Sequence, residues 1–159
     1  TVNTRPGGVT KKGLVIPTLV TIKTLFTVAK VEVVTSRNFL LSTGGFNGWF
    51  QGGNTTGLFE NFGAYDGVGN SWITSNLNQN IGYMNLRDLR IFLALNGDVE
   101  TNVGAFGAEI TSNVYLLGSN LYGNLVLNGN AQELIGFNVD FSGQRAFIGG
   151  NQNTFYTVY

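Results

Sequence analysis

Residues 18–34 constrain the fold of this chain more than any other stretch. Val20 and Ile22 alternate with Thr21 and Lys23. The alternation slips at Leu25-Phe26, then resumes as Val31 and Val33 against Lys30 and Glu32. Period-two alternation built from β-branched residues excludes a helix and specifies an extended chain with two unlike faces. The one-residue slip marks either a β-bulge or a break between two strands. Unbroken, the segment would span about 55 Å at roughly 3.3 Å per residue. Strands within a domain usually run about 5–6 residues. Two expectations follow: a long strand reaching over a neighbouring subunit, or two ordinary strands meeting at the slip.

Charge singles out the same end of the chain. Residues 1–37 hold six basic side chains (Arg5, Lys11, Lys12, Lys23, Lys30 and Arg37) against Glu32, a local net charge of +5. Residues 38–159 hold three arginines against eight acids, a net charge of −5. A cationic, strand-forming segment joined to an anionic body suits docking onto a copy of its neighbour. Arms that bind nucleic acid are denser in Arg and Lys, and this charge is diluted among Val, Ile and Leu, so nucleic acid is not the expected partner.

Beyond residue 37 the chain reads as one globular β body, 38–159. Residues 43–71 mix glycine with aromatics and read as long loops. Regular structure returns at 71–73 and 81–86. The segment NLRDLRIFLALNG supports two readings. As a helix it has Asn85 as N-cap, Asp88 in the first turn and Gly97 just past the end. As a strand, residues 90–95 form an apolar run entering an Asn96-Gly97 hairpin turn. The β context favours the strand. Gly118, Gly123, Gly129, Gly136 and Gly143 then punctuate short apolar runs at 114–117, 125–127, 134–139 and 146–148, and residues 154–159 read as a last strand. The spacing drifts too much for a solenoid repeat. The expected fold is all-β: a single antiparallel sandwich or jelly-roll-like domain with an extended N-terminal strand arm.

Composition removes whole classes of chemistry. The 159 residues include no Cys and no His. Disulfides, thiolate nucleophiles, imidazole bases and Cys/His metal sites are therefore excluded. Only 11% of residues are charged and the net charge is zero, whereas isolated soluble domains usually carry about 2–8 net charges. That combination suits surface hidden in an assembly. No apolar run reaches the roughly 20 residues of a membrane helix. Thr1 reads as a trimmed or renumbered start rather than an N-terminal nucleophile.

Three constellations remain. Asp98 and Glu100, two apart after an Asn-Gly turn, read as a solvated tip rather than a catalytic carboxylate pair. Asp98, Glu100, Asn102 and Glu109 fall at positions 1, 3, 5 and 12 of a calcium-loop spacing. Val103 stands where that loop needs glycine, which weakens the calcium candidate, and no metal or other cofactor is expected. Trp49, Gln51, Asn54, Tyr65 and Trp72 combine rings that stack on sugars with amides that hydrogen-bond hydroxyls, and they form the candidate glycan-binding set. Large aromatics of this kind also dominate cores and subunit interfaces.

The role expected from these features is structural, not enzymatic: a self-assembling subunit of a virion capsid, tail or fibre, or of an extracellular surface filament. The expected assembly arm is Lys12, Val20, Ile22, Lys23, Lys30, Val31 and Val33. Backbone of 14–34 would complete a neighbour's sheet edge while alternate side chains fill its groove. On this expectation, deleting residues 1–34 leaves a folded but non-assembling, or poorly soluble, monomer. A carbohydrate- or receptor-binding module, such as a fibre tip, is the alternative.

Overall fold

The computed structural model describes residues 3–4, 10–11, 14–31, 37–43, 48–52, 61–65, 70–74, 78–106, 111–116 and 129–159. Strands predominate, and the described chain ends in a single helix. β1 (Asn3–Thr4) and β2 (Thr10–Lys11) form a small antiparallel ladder. After them come β3 (Leu14–Thr21), β4 (Thr24–Val31), β5 (Arg37–Thr43), β6 (Gly48–Gly52), β7 (Asn61–Tyr65) and β8 (Asn70–Thr74). The second half contributes β9 (Asn80–Arg87), β10 (Arg90–Leu95), β11 (Thr101–Ala105), β12 (Thr111–Leu116), β13 (Gly129–Phe137) and helix α1 (Arg145–Tyr156). A five-stranded sheet runs β11-β10-β9-β4-β13 and a six-stranded sheet runs β3-β12-β5-β6-β7-β8. Every pairing among the described residues is antiparallel.

The long N-terminal β pattern is two strands, not one. They part at Ile22-Lys23, slightly ahead of the sequence slip, and enter different sheets. β3 lies at the end of the six-stranded sheet, whereas β4 lies between β9 and β13 in the five-stranded one. Pro17 explains much of this asymmetry. It has no N–H to give a central ladder and is tolerated on an edge, and it falls where the β3–β12 register shifts.

Leu25 and Ala29 of β4, Met84 and Leu86 of β9, and Ile91, Leu93 and Leu95 of β10 pack with Leu40, Leu41 and Phe62 of the six-stranded sheet in one buried cluster. Phe62 closes against Gly82 so tightly that a β-carbon there would stand 2.4 Å from the ring. Glycine is required at that point of contact. Across the five-stranded sheet, Phe26, Tyr83 and Ala94 form a second cluster with Ile135, Phe137, Phe141 and Ile148. Period-two alternation thus gives β4, β9 and β10 two buried faces, which is why residues 80–86 are buried without a break.

Residues 90–95 are a strand, as the β context favours, and Asn96 and Gly97 both take positive φ in the turn that follows. The sequence hides a second such turn. Asp88 (φ 52°) and Leu89 (φ 53°) connect β9 to β10 as a two-residue hairpin loop. Left-handed backbone costs a branched residue about 1–2 kcal/mol. The Phe106 N–H donating to the Leu89 carbonyl at 2.8 Å helps to hold it there. Leu89 is 56% exposed, so its side chain returns little burial. Leu89→Gly is therefore expected to stabilise the fold by about 1 kcal/mol. A urea melt checks this, and a lowered midpoint contradicts it.

The C-terminal expectation is corrected. Residues 145–156 are helical, so neither 146–148 nor 154–159 forms a strand. Ile148, Gln152 and Tyr156 recur every four residues on the more buried side of α1, the spacing of one helical face. Thr157 ends the helix in left-handed backbone, its N–H donating to the Asn153 carbonyl.

Candidate functional site

Two features of the described residues bear on function: the edge strand β3, and the surface that α1 presents beside β13. A polar cluster at one end of the five-stranded sheet fixes α1. The Thr24 hydroxyl, fully buried, accepts from Asn85 Nδ2 at 2.9 Å and from the Phe141 N–H at 3.0 Å, and donates to the Val139 carbonyl at 2.8 Å. Asn85 Nδ2 also donates to Asp140 Oδ1 at 2.8 Å, and Asp140 Oδ1 accepts the Ser142 N–H at 2.9 Å. Arg87 donates to Asn85 Oδ1 at 3.2 Å and grips Glu100 through both terminal nitrogens, its guanidinium 3.6 Å from the centre of the Phe92 ring. Buried polar groups must be paired, and this cluster pairs them by tying residues 139–142 onto the sheet just before α1 begins.

Burial pushes the Asp140 carboxyl up. The backbone and hydroxyl hydrogen bonds of Ser142, the Asn85 amide and the Arg87 charge outweigh this and hold it below the ordinary value of 3.8. A depressed carboxylate contributes stability that is present above its unfolded value and lost as pH falls through the folded one. Acid titration of the melting temperature is therefore expected to show a fall beginning near pH 3.8 and continuing below it. Asp140→Asn flattens that fall, and an unchanged acid limb in the variant contradicts the assignment.

Of the arm residues, Ile22 and Val31 pack inside the chain's own core, Lys30 is exposed and Lys23 partly so. Val20 lies in β3, opposite Ser112 of β12. Lys12 and Val33 lie outside the described residues.

The glycan candidates are divided by register. Trp49 stands opposite Ala64, and Gln51 opposite Phe62. Trp72 stands opposite Gly63, and Tyr65 opposite Asn70. Trp49 and Trp72 thus fall in adjacent cross-strand rows, which belong to alternate pleats. Asn54 lies outside the described residues.

Two of the calcium candidates use their side chains within the chain, and a third gives its backbone carbonyl. Glu100 pairs with Arg87, Asn102 Oδ1 accepts the Gly104 N–H, and the Asp98 carbonyl accepts from Arg145 at 2.7 Å. Glu109 lies outside the described residues, and among those described no cluster of three acids gathers.

The sequence reading missed the α1 surface. Phe147 is 73% and Phe155 80% exposed, both on α1. With Ile135 and Phe137 of β13 they line a groove of about 360 Å³. An eight-residue interval between the two phenylalanines is the available signal, visible only once 145–156 is taken as helical. No helix among the described residues is long and apolar enough to cross a membrane. No protein-family model matches the chain, and no curated protein matches it at a significant level.

Proposed function

We propose that this protein is a structural subunit that assembles with copies of itself, as in a virion shell, tail or fibre or an extracellular surface filament, and has no catalytic role. The two sheets, sharing one buried cluster, are read here as the layers of a β-sandwich. The observation that carries the reading is the position of β3: this uncharged, apolar strand, which follows Lys11 and Lys12, ends one side of the six-stranded sheet among the described residues. An unpaired strand edge is a template for another chain. Because β4 is buried between β9 and β13, β3 is the element we assign to exchange, with the lysines around it drawn to the acidic body of the neighbour. Light scattering over a dilution series tests this. Assemblies larger than one chain are expected, and an excess of synthetic peptide 14–21 should shrink them. The mass of a single chain at every concentration would sink the proposal.

The receptor-binding alternative keeps one supporting observation. Tyr65 of β7 and Trp72 of β8 lie two cross-strand rows apart and so share one face of the sheet, whereas Trp49 of β6 falls on the other. It predicts saturable glycan binding that Trp72→Ala abolishes while assembly persists.

A further inference from the structure

The groove between α1 and β13 has three properties that together describe its occupant. First, β13 ends the five-stranded sheet: it pairs with β4 on one side and with no strand on the other among the described residues. Second, its apolar wall is long enough for an extended segment. Phe147 and Phe155 are eight residues apart on α1, about 12 Å at roughly 1.5 Å per residue, the length of about four residues of strand. Third, beside the Asn151 amide and the Tyr156 hydroxyl its lining holds one acceptor without a donor. Gln152 is only 4% exposed, and its Oε1 is buried without a hydrogen-bond partner. Gln152 Nε2 is already committed to the Glu133 carboxylate at 2.8 Å. Leaving a buried carbonyl unpaired is unfavourable, and a carboxylate beside it favours a cation.

We infer that this groove receives β3 of a second copy of this chain, edge to edge against β13. This rests on the assembly reading above and names the receiving surface. Charge complementarity selects the occupant: Leu14-Val15-Ile16 follows Lys11 and Lys12 in a segment of net charge +5, and the one charged residue lining the groove is the carboxylate Glu133. Among the described residues neither strand surrenders a strand pairing, since residues 14–16 of β3 would use the edge turned away from β12. Irregularities limit the match to short stretches. The β13 register shifts between Ala131 and Glu133, leaving 133–137 regular, and the β3 register shifts beside Pro17, leaving 14–16. Two different surfaces are joined, so the contact is heterologous and propagates into a ring or filament.

The test uses the full chain with Phe147→Ser and Phe155→Ser together, whose exposure leaves the core untouched, and Glu133→Gln as a second variant. A fluorescent peptide of residues 10–21 serves as the probe. Sedimentation velocity is expected to show the wild type assembled and the serine variant dispersed at an unchanged melting temperature. Peptide binding to the serine variant should weaken at least about tenfold, and Glu133→Gln should weaken it less and remove part of its salt dependence. If wild type and serine variant assemble alike, the groove inference fails while the assembly reading stands. If the wild type is a single chain throughout, the assembly reading itself fails. A closed dimer that the serine variant abolishes but that ignores the peptide would instead mean helix-to-helix packing, and would overturn β3 as the occupant.

Discussion

Removing residues 1–34 is expected to abolish folding, not merely assembly. The truncation deletes β4, whose removal exposes the ladder edges of both β9 and β13 and takes Leu25, Phe26, Val28, Ala29 and Val31 out of the interior. Fully burying a single large apolar side chain is worth about 1.5–3 kcal/mol, and a whole domain is stable by only about 5–15 kcal/mol. Several such losses exceed that margin. Circular dichroism of the truncated chain should show no cooperative melt. A sharp transition near the wild-type temperature would mean that β4 is dispensable, as the sequence alone suggested. Removing residues 1–13 leaves both sheets complete and is the matched control, expected to fold.

Phe62→Ala is expected to cost about 3–5 kcal/mol, the range for emptying a large aromatic site. Phe62 is fully buried between the sheets, against Gly82 of β9. Gly82→Val attacks the same contact from the other side. A β-carbon at that position would also stand 2.5 Å from the Thr27 hydroxyl, so the sheets must part or the ring must move. Overpacking of this sort costs about 1–3 kcal/mol. Combining the two changes should cost less than their sum, because the cavity left by one admits the methyl groups of the other. A double-mutant cycle in urea measures this coupling. Strict additivity would mean that the two residues do not share a contact.

Much of this architecture is legible in the residues, for identifiable reasons. The alternation of Val20, Ile22 and their neighbours reports two-faced strands correctly, and Asn96-Gly97 reports its turn because each residue tolerates positive φ. The sequence could not say that both faces of β4 are covered. That depends on α1 and Phe137 arriving from the far end of the chain. Asp88-Leu89 was invisible as a hairpin because leucine does not advertise a left-handed turn; a hydrogen bond from the distant Phe106 N–H helps to hold it. The helix at 145–156 was masked by Gly149-Gly150, Thr154 and an N-cap without a side-chain hydrogen bond, all poor helix signals. Its formation owes more to the tethering of residues 139–142 by Thr24 and Asn85 than to propensity. Within the proposed assembly site, β3 was legible from charge and alternation. The groove was not, because its wall consists of a helix the local signals argue against.

Electron microscopy of the purified 159-residue chain tests the central claim most directly. Self-association through β3 and the groove beside β13 predicts fields of rings, tubes or filaments. These should give way to dispersed particles when peptide 10–21 is present in excess. Uniformly dispersed particles the size of one chain, at every concentration and salt tried, would contradict it.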